Sequence, residues 1–185
     1  MKHDFDAQSV RELLEELARR LSDRGVHGTI RVAGGAAMLL RYPDDPDVRV
    51  TRDIDALIEP ADEVEAVVAE MAADLGLTAR WLNEAGQGWL RVAGDPSDEP
   101  VSIFIASERE LIAMKMSAGR DKDFVDLGIL VKHLGITDPA MLVDIAYQEY
   151  GEDAVELPDG RASYLWYAES VIKEAYRPSK RRRKG

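Results

Sequence analysis

The chain has no cysteine, three histidines, and aromatic residues at only 6% of its 185 positions. The first absence excludes a disulfide framework and any thiolate metal site. The histidines, His3, His27 and His133, are dispersed, which suits surface or helix-end residues rather than a ligand set. No apolar run approaches the roughly 20 residues of a membrane-crossing helix, so no membrane partner is expected. The opening MKHDFDAQSV lacks the basic-then-apolar layout of a secretory signal, which points to the cytoplasm. Ser102 and Ser117 have no visible histidine and aspartate companions, which leaves nucleophilic serine catalysis without support.

Charge is unevenly spread. The net charge is −11, yet the last nine residues hold six positive charges and no negative one, so the other 176 residues carry −17. Such a body repels nucleic acid over most of its surface, and any nucleotide or RNA must enter at a local basic or metal-filled site. The tail, 177–185, is expected to be a disordered solubilising end or a contact for such a partner.

An apolar content of 45% is enough for a buried core. Val10, Leu13, Leu14, Leu17 and Leu21 recur at helical spacing, and Gly25 follows as a stop. Then come a strand over 29–33, a short helix over 35–42, a Pro/Asp-rich loop and a strand over 53–58. A helix opens near Pro60 and Asp62 and closes at Gly76. Strands are expected over 88–93 and 101–105, joined by GDPSDEP. From Ser107 the pattern turns helical, with SERE as a capping box, an interruption at Gly119, and a new start at Asp138-Pro139. The last helix spans about 162–176, with Tyr164, Leu165, Tyr167, Ala168, Val171 and Ile172 as its apolar side. Trp81, Trp89 and Trp166 are expected in the core, with stacking on a base as the alternative for Trp89, which lies on a strand. The fold class is therefore α+β: a mixed sheet with flanking helices over 1–106, then a helical half over 107–176.

Two motifs carry chemistry. Gly34 and Gly35 leave a strand and open a helix, which fits a tight turn or a backbone cradle that a phosphate can approach. In TRDIDALI a period of two sends Asp53 and Asp55 to one face and Ile54, Ala56 and Ile58 to the other. Adjacent carboxylates repel, so the pair fits a solvated edge or a cation site. Mg²⁺ suits the latter, since it takes one or two carboxylates plus water and phosphate oxygens; Mn²⁺ is the alternative. Lys115, between Met114 and Met116, is either a salt-bridged lysine or a cation for a polyphosphate. Asp123 and Asp126, three apart, orient a cation or form a solvated face.

Strand, Gly-Gly, short helix and a strand with T-R-D-I-D together resemble the nucleotidyltransferase fold of the polymerase-β-like superfamily, particularly its minimal bacterial members. The resemblance implies that Gly34 and Gly35 lie against nucleotide phosphates and that Asp53 and Asp55 hold the metal. Thr51 and Arg52 join the substrate-binding set beside them. ASERELIAMKMSAGRDKDFVDLGILVKHLGI also resembles the helical segment of AbiE-type toxin nucleotidyltransferases, which implies active-site roles for Lys115 and Asp123. The similarity spans about 29–136.

One element departs from that pattern. Superfamily members commonly carry a third carboxylate on a later strand, but the corresponding PVSIFIAS has none within 101–105, and Ser102 or Phe104 would face its place. A two-carboxylate site, replacement by Asp98 or Glu99, and loss of catalysis with retention of binding all fit. The function implied is transfer of a nucleoside monophosphate from Mg-NTP to a hydroxyl of RNA, protein or a small molecule, toxin-like and with a cognate antitoxin as an expected partner. The alternative is a degenerate relative that binds a nucleotide or a protein. A third class, an interaction protein working through the basic tail, would depend on residues 177–185.

Overall fold

The computed structural model describes residues 4–84 and 100–178. These fall into two compact units, one ending at Ser107 and one beginning at Glu108.

The first unit opens with helix α1 (Ala7–Asp23), whose start is capped by Asp6: its Oδ1 accepts from Ser9 N at 2.8 Å. The three- and four-residue spacing places Val10, Leu14, Leu17 and Leu21 on one buried stripe. Each such side chain contributes about 1.5–3 kcal/mol when fully buried. On the opposite side Glu16 pairs with Arg19 and Arg20. Arg20 also reaches Asp74 at 2.7 Å on helix α3 (Ala61–Leu75), linking the two helices.

Four strands form one mixed sheet: β1 (Gly28–Val32), β2 (Ile54–Glu59), β3 (Leu82–Asn83) and β4 (Val101–Ile105), in the order β3-β2-β1-β4. The β1/β2 pair is antiparallel, while β1/β4 and β2/β3 are parallel. Ile30 and Val32 stand opposite Ile58 and Ala56, and all four are buried, together with Ile54. That face is the core. The other carries Thr29, Arg31, Leu57, Ser102 and Phe104 by register, and continues along β2 to Asp55, with Asp53 just before the strand.

Helix α2 (Gly34–Arg41) follows β1 and packs against β2 and β4 through buried Ala36, Ala37, Met38 and Leu39. Arg41 fastens its far end, with Nε donating to Ala106 O at 2.5 Å. Gly76, with φ +67°, ends α3 as expected of a C-terminal glycine. Trp81 is fully buried, as its sequence context suggested, and its Nε1 donates to Val68 O at 3.0 Å. Strand β3 is too short for periodicity to reveal. The strand expected over 88–93, with Trp89, and the loop residues Asp98 and Glu99 lie outside the described residues, as do His3 and 179–185 of the basic tail.

The second unit is helical: α4 (Glu108–Ala118), α5 (Asp121–Leu134), α6 (Pro139–Tyr150) and α7 (Gly160–Ala175). Gly119 separates α4 from α5 with φ +56°. Asp138 caps α6, its Oδ1 accepting from Ala140 N at 2.9 Å, with proline at the first helical position. In α7, Tyr164, Ala168 and Val171 are buried as the periodicity suggests. Trp166 corrects the expectation of a core tryptophan: it is 70% exposed, and neighbouring Leu165 is 37% exposed. On a helix whose buried stripe runs 164–168–171, residues 165 and 166 rotate toward the opposite side. Among the described residues, no helix is long and apolar enough to cross a membrane.

Candidate functional site

The turn from β1 into α2 is pinned to β2 by one backbone bond, Ala33 N donating to Asp55 O at 2.8 Å. The first helical bond runs from Ala37 N to Ala33 O at 3.1 Å, so the N–H groups of Gly34, Gly35 and Ala36 belong to the turn that a helix leaves without internal partners. Ala33, the N-cap residue, has no side-chain oxygen to cap them. This end of α2 therefore offers donors and the positive end of a helix dipole.

Glycine at 34 is required twice over. Its φ of +58° lies in the left-handed region, and a Cβ there would stand 2.6 Å from Asp55 Oδ2. A Cβ at Gly35 would meet Thr51 Oγ1 at 3.3 Å, tighter than ordinary contact, so the hydroxyl would have to shift by a few tenths of an ångström. The glycine turn, Thr51 and Asp55 are thus one neighbourhood, assembled from the end of β1, the start of α2 and the entry to β2.

That entry is held in place from two directions. Phe5 and Thr51 exchange backbone bonds, with Phe5 N donating to Thr51 O at 2.6 Å and Thr51 N to Phe5 O at 3.0 Å. Ile54 N donates to Trp81 O at 2.7 Å. Between them, Thr51 Oγ1 donates to Asp53 O at 2.9 Å, shaping the bend that precedes the strand. Asp53 is exposed and Asp55 half-buried, while Ile54 and Ala56 are fully buried, so the paired carboxylates occupy the face expected of them. Strand β2 begins at Ile54, which leaves Asp53 just outside it. Arg52, in the bend before the strand, has a side chain 68% exposed, and its Nε lies 3.4 Å from Asp4 Oδ1.

Asn83 was not singled out from sequence. It stands opposite Asp55 in the β2/β3 register, and its Nδ2 donates to Asp53 Oδ2 at 3.4 Å, a long bond that orients the carboxylate. A two-residue strand carries no periodic signal that could have shown this.

The donor set fits a hard divalent cation. Two neighbouring carboxylates and an amide on the adjoining strand supply oxygen donors, the kind that Mg²⁺ takes alongside water and phosphate oxygens. Among the described residues, no group of three or more His, Cys, Asp or Glu side chains forms a ready-made metal cage. On the same face of β4 stand Ser102, buried, and Phe104, half-buried, with no carboxylate within the strand.

In the second unit Lys115 and Asp123 are brought together with Asp126 and Arg120. Lys115 Nζ donates to Asp126 Oδ2 at 2.6 Å and lies 3.8 Å from Asp123 Oδ1. Arg120 Nε donates to Asp123 Oδ2 at 2.6 Å, and Asp123 Oδ2 also accepts from Arg120 N at the start of α5. Lys115, Asp123 and Asp126 are all buried, and with Arg120 the four formal charges balance. Tyr167 stands close enough to feel this cluster. Burial first, then the charges of Asp123 and Asp121, push its phenol up to about 12.

Ser117, weighed above as a nucleophile, donates from Oγ to the backbone oxygen of Glu156. His27 and His133 are exposed, as expected of dispersed histidines.

Comparison with known proteins gives one result. Residues 8–177 match the family model DUF6036, described as nucleotidyltransferase of unknown function. No curated protein and no solved structure matches the chain. A match over nearly the whole length, on a mixed sheet that sets a Gly-Gly helix start beside an Asp-x-Asp strand, places this chain in DUF6036, a family of nucleotidyltransferases.

Proposed function

We propose that the first unit binds a Mg-NTP at the junction of β1, α2 and β2 and transfers its nucleoside monophosphate to a hydroxyl acceptor. The observation that carries this is the contact of Gly34 with the Asp55 carboxylate, which sets a side-chain-free helix start against a carboxylate pair. Asp53 and Asp55 would hold the ion, whose contribution is neutralisation of phosphate charge. The backbone N–H groups of Gly34 and Gly35 donate to phosphate oxygens, an arrangement fixed before the substrate arrives. Thr51 shapes the bend that presents Asp53, and Asn83 restrains its carboxylate. Arg52 adds positive charge from the rim. Lys115 and Asp123 enter this proposal through the sequence resemblance, and the acceptor, whether RNA, protein or a small molecule, through the same resemblance. So does a toxin-like role with an antitoxin partner.

A second reading, nucleotide binding without transfer, is favoured by β4, where Ser102 and Phe104 stand and no carboxylate does. A general base contributes about 10²- to 10⁴-fold to rate, so its absence slows transfer without removing the binding site. Incubation with α-labelled NTPs and total RNA or protein separates the two. Mg²⁺-dependent label transfer that Asp53→Ala abolishes supports the enzyme; Mg-NTP binding with no transfer to either acceptor pool supports the binding module.

A further inference from the structure

Arg31 is the one cation that the strand registers place within the described Asp-bearing face of the sheet. It lies in β1, between Leu57 of β2 and Phe104 of β4, and is half-buried. Both lateral neighbours are apolar. Its two diagonal neighbours on β2 are Asp55 and Glu59, at the spacing of about 7–8 Å that a long side chain spans. Arg52, adjacent to the aspartates in sequence, is exposed and pairs with Asp4 at the surface.

We propose that Arg31 binds a phosphate of the nucleotide, as the main side-chain cation of the first unit for that charge. This rests on the nucleotide reading of the Gly34/Asp55 site. A triphosphate brings more negative charge than one Mg²⁺ and a helix start offset, and the Asp pair adds its own. Once an ion is shared by Asp53 and Asp55, the guanidinium diagonal to Asp55 faces the phosphate that the same ion holds. The planar fork of arginine matches two phosphate oxygens at once, and partial burial strengthens that interaction relative to one at the rim. The competing role is structural, an ion pair from Arg31 to Glu59 across the β1/β2 ladder.

The test is the Kd of each of the four Mg-NTPs, titrated calorimetrically against wild type, Arg31→Gln, Arg31→Lys and Arg11→Gln. The last is an exposed α1 control. Loss of a charge-assisted bond predicts roughly 10- to 100-fold weaker binding for Arg31→Gln, with a shallower salt dependence. Arg31→Lys, which keeps charge but not the fork, should fall between, and Arg11→Gln should match wild type. A folded Arg31→Gln protein that binds within about twofold of wild type overturns the proposal and leaves Arg31 a structural residue. Should Arg31→Gln not fold, Arg31→Lys decides: weakening of about threefold or more supports the proposal, and an unchanged Kd overturns it. Wild type that binds no Mg-NTP is a different failure, since it removes the nucleotide reading itself and the role of Arg31 with it.

Discussion

The carboxylate of Asp55 lies where a side chain on Gly34 would have to be, 2.6 Å from its first carbon, and Gly34 also holds a φ of +58°. Gly34→Ala should therefore lose about 1–3 kcal/mol from backbone strain, before any displacement of Asp55. Gly35→Ala is the comparison, because position 35 has ordinary helical backbone and a Cβ only 3.3 Å from a threonine hydroxyl. Its gain in helix propensity, up to about 1 kcal/mol, offsets that crowding. Urea denaturation of both variants measures the difference; equal stabilities would contradict the described turn.

Lys115 and Asp126 form a buried pair at 2.6 Å, with Asp123 beside them. Removing one member strands a charge, so Asp126→Leu or Lys115→Met alone should cost about 3–5 kcal/mol. The double variant Lys115→Met/Asp126→Leu should be far less destabilised than the sum of the singles, and a double-mutant cycle reads that coupling. Additive singles would mean that the lysine contributes little to this cluster, leaving only the active-site role that the resemblance implies.

Glu16 is held down to about 2, first by side-chain hydrogen bonds from Arg19 and Arg20 and then by their charge. A lowered carboxylate stabilises the folded state above its ordinary 4.5, and that stabilisation is lost as pH falls through about 2. The pair is on the surface, so the effect is small. Glu16→Gln should flatten the dependence of Tm on pH between these limits, and an unchanged slope would count against the Glu16 network.

Tyr167 titrates late. Its phenol is pushed up from 10.0 to about 12, chiefly by burial. The folded state thus retains the proton more tightly, and this contribution to stability, present below the ordinary value, is lost as pH rises through about 12. Ultraviolet titration of wild type and Tyr167→Phe should show one fewer late-titrating tyrosine in the variant. A lost tyrosine with a midpoint near 10 would contradict the burial of this hydroxyl.

Much of the site follows from two local rules. A period of two put Asp53 and Asp55 opposite the buried Ile54 and Ala56, and a glycine pair at a strand-to-helix junction marked the start of α2. What stayed hidden depends on long-range pairing. Asn83 reaches Asp53 only because a two-residue strand joins β2, and Arg31 shares the Asp face only through a register no linear spacing reveals. Arg52 drew notice because it adjoins Asp53 in sequence; it stands in the bend before β2, with its side chain 68% exposed. Trp166 looked like core by its chemistry, but the rotation of α7 set by Tyr164, Ala168 and Val171 exposes it. Ser102 and Phe104 were correctly anticipated as the residues of β4 on the face that bears the aspartates.

The most direct measurement is a thermal-shift titration of the four NTPs, with and without Mg²⁺, on wild type and Asp53→Ala. Ligand that binds only the folded state raises stability by mass action, about 2.7 kcal/mol at a hundred times Kd. A Mg²⁺-dependent rise in Tm with at least one NTP, absent from Asp53→Ala, is the expected result. No shift with any NTP at millimolar concentration, or an equal shift in the variant, would contradict a nucleotide site at Gly34, Asp53 and Asp55.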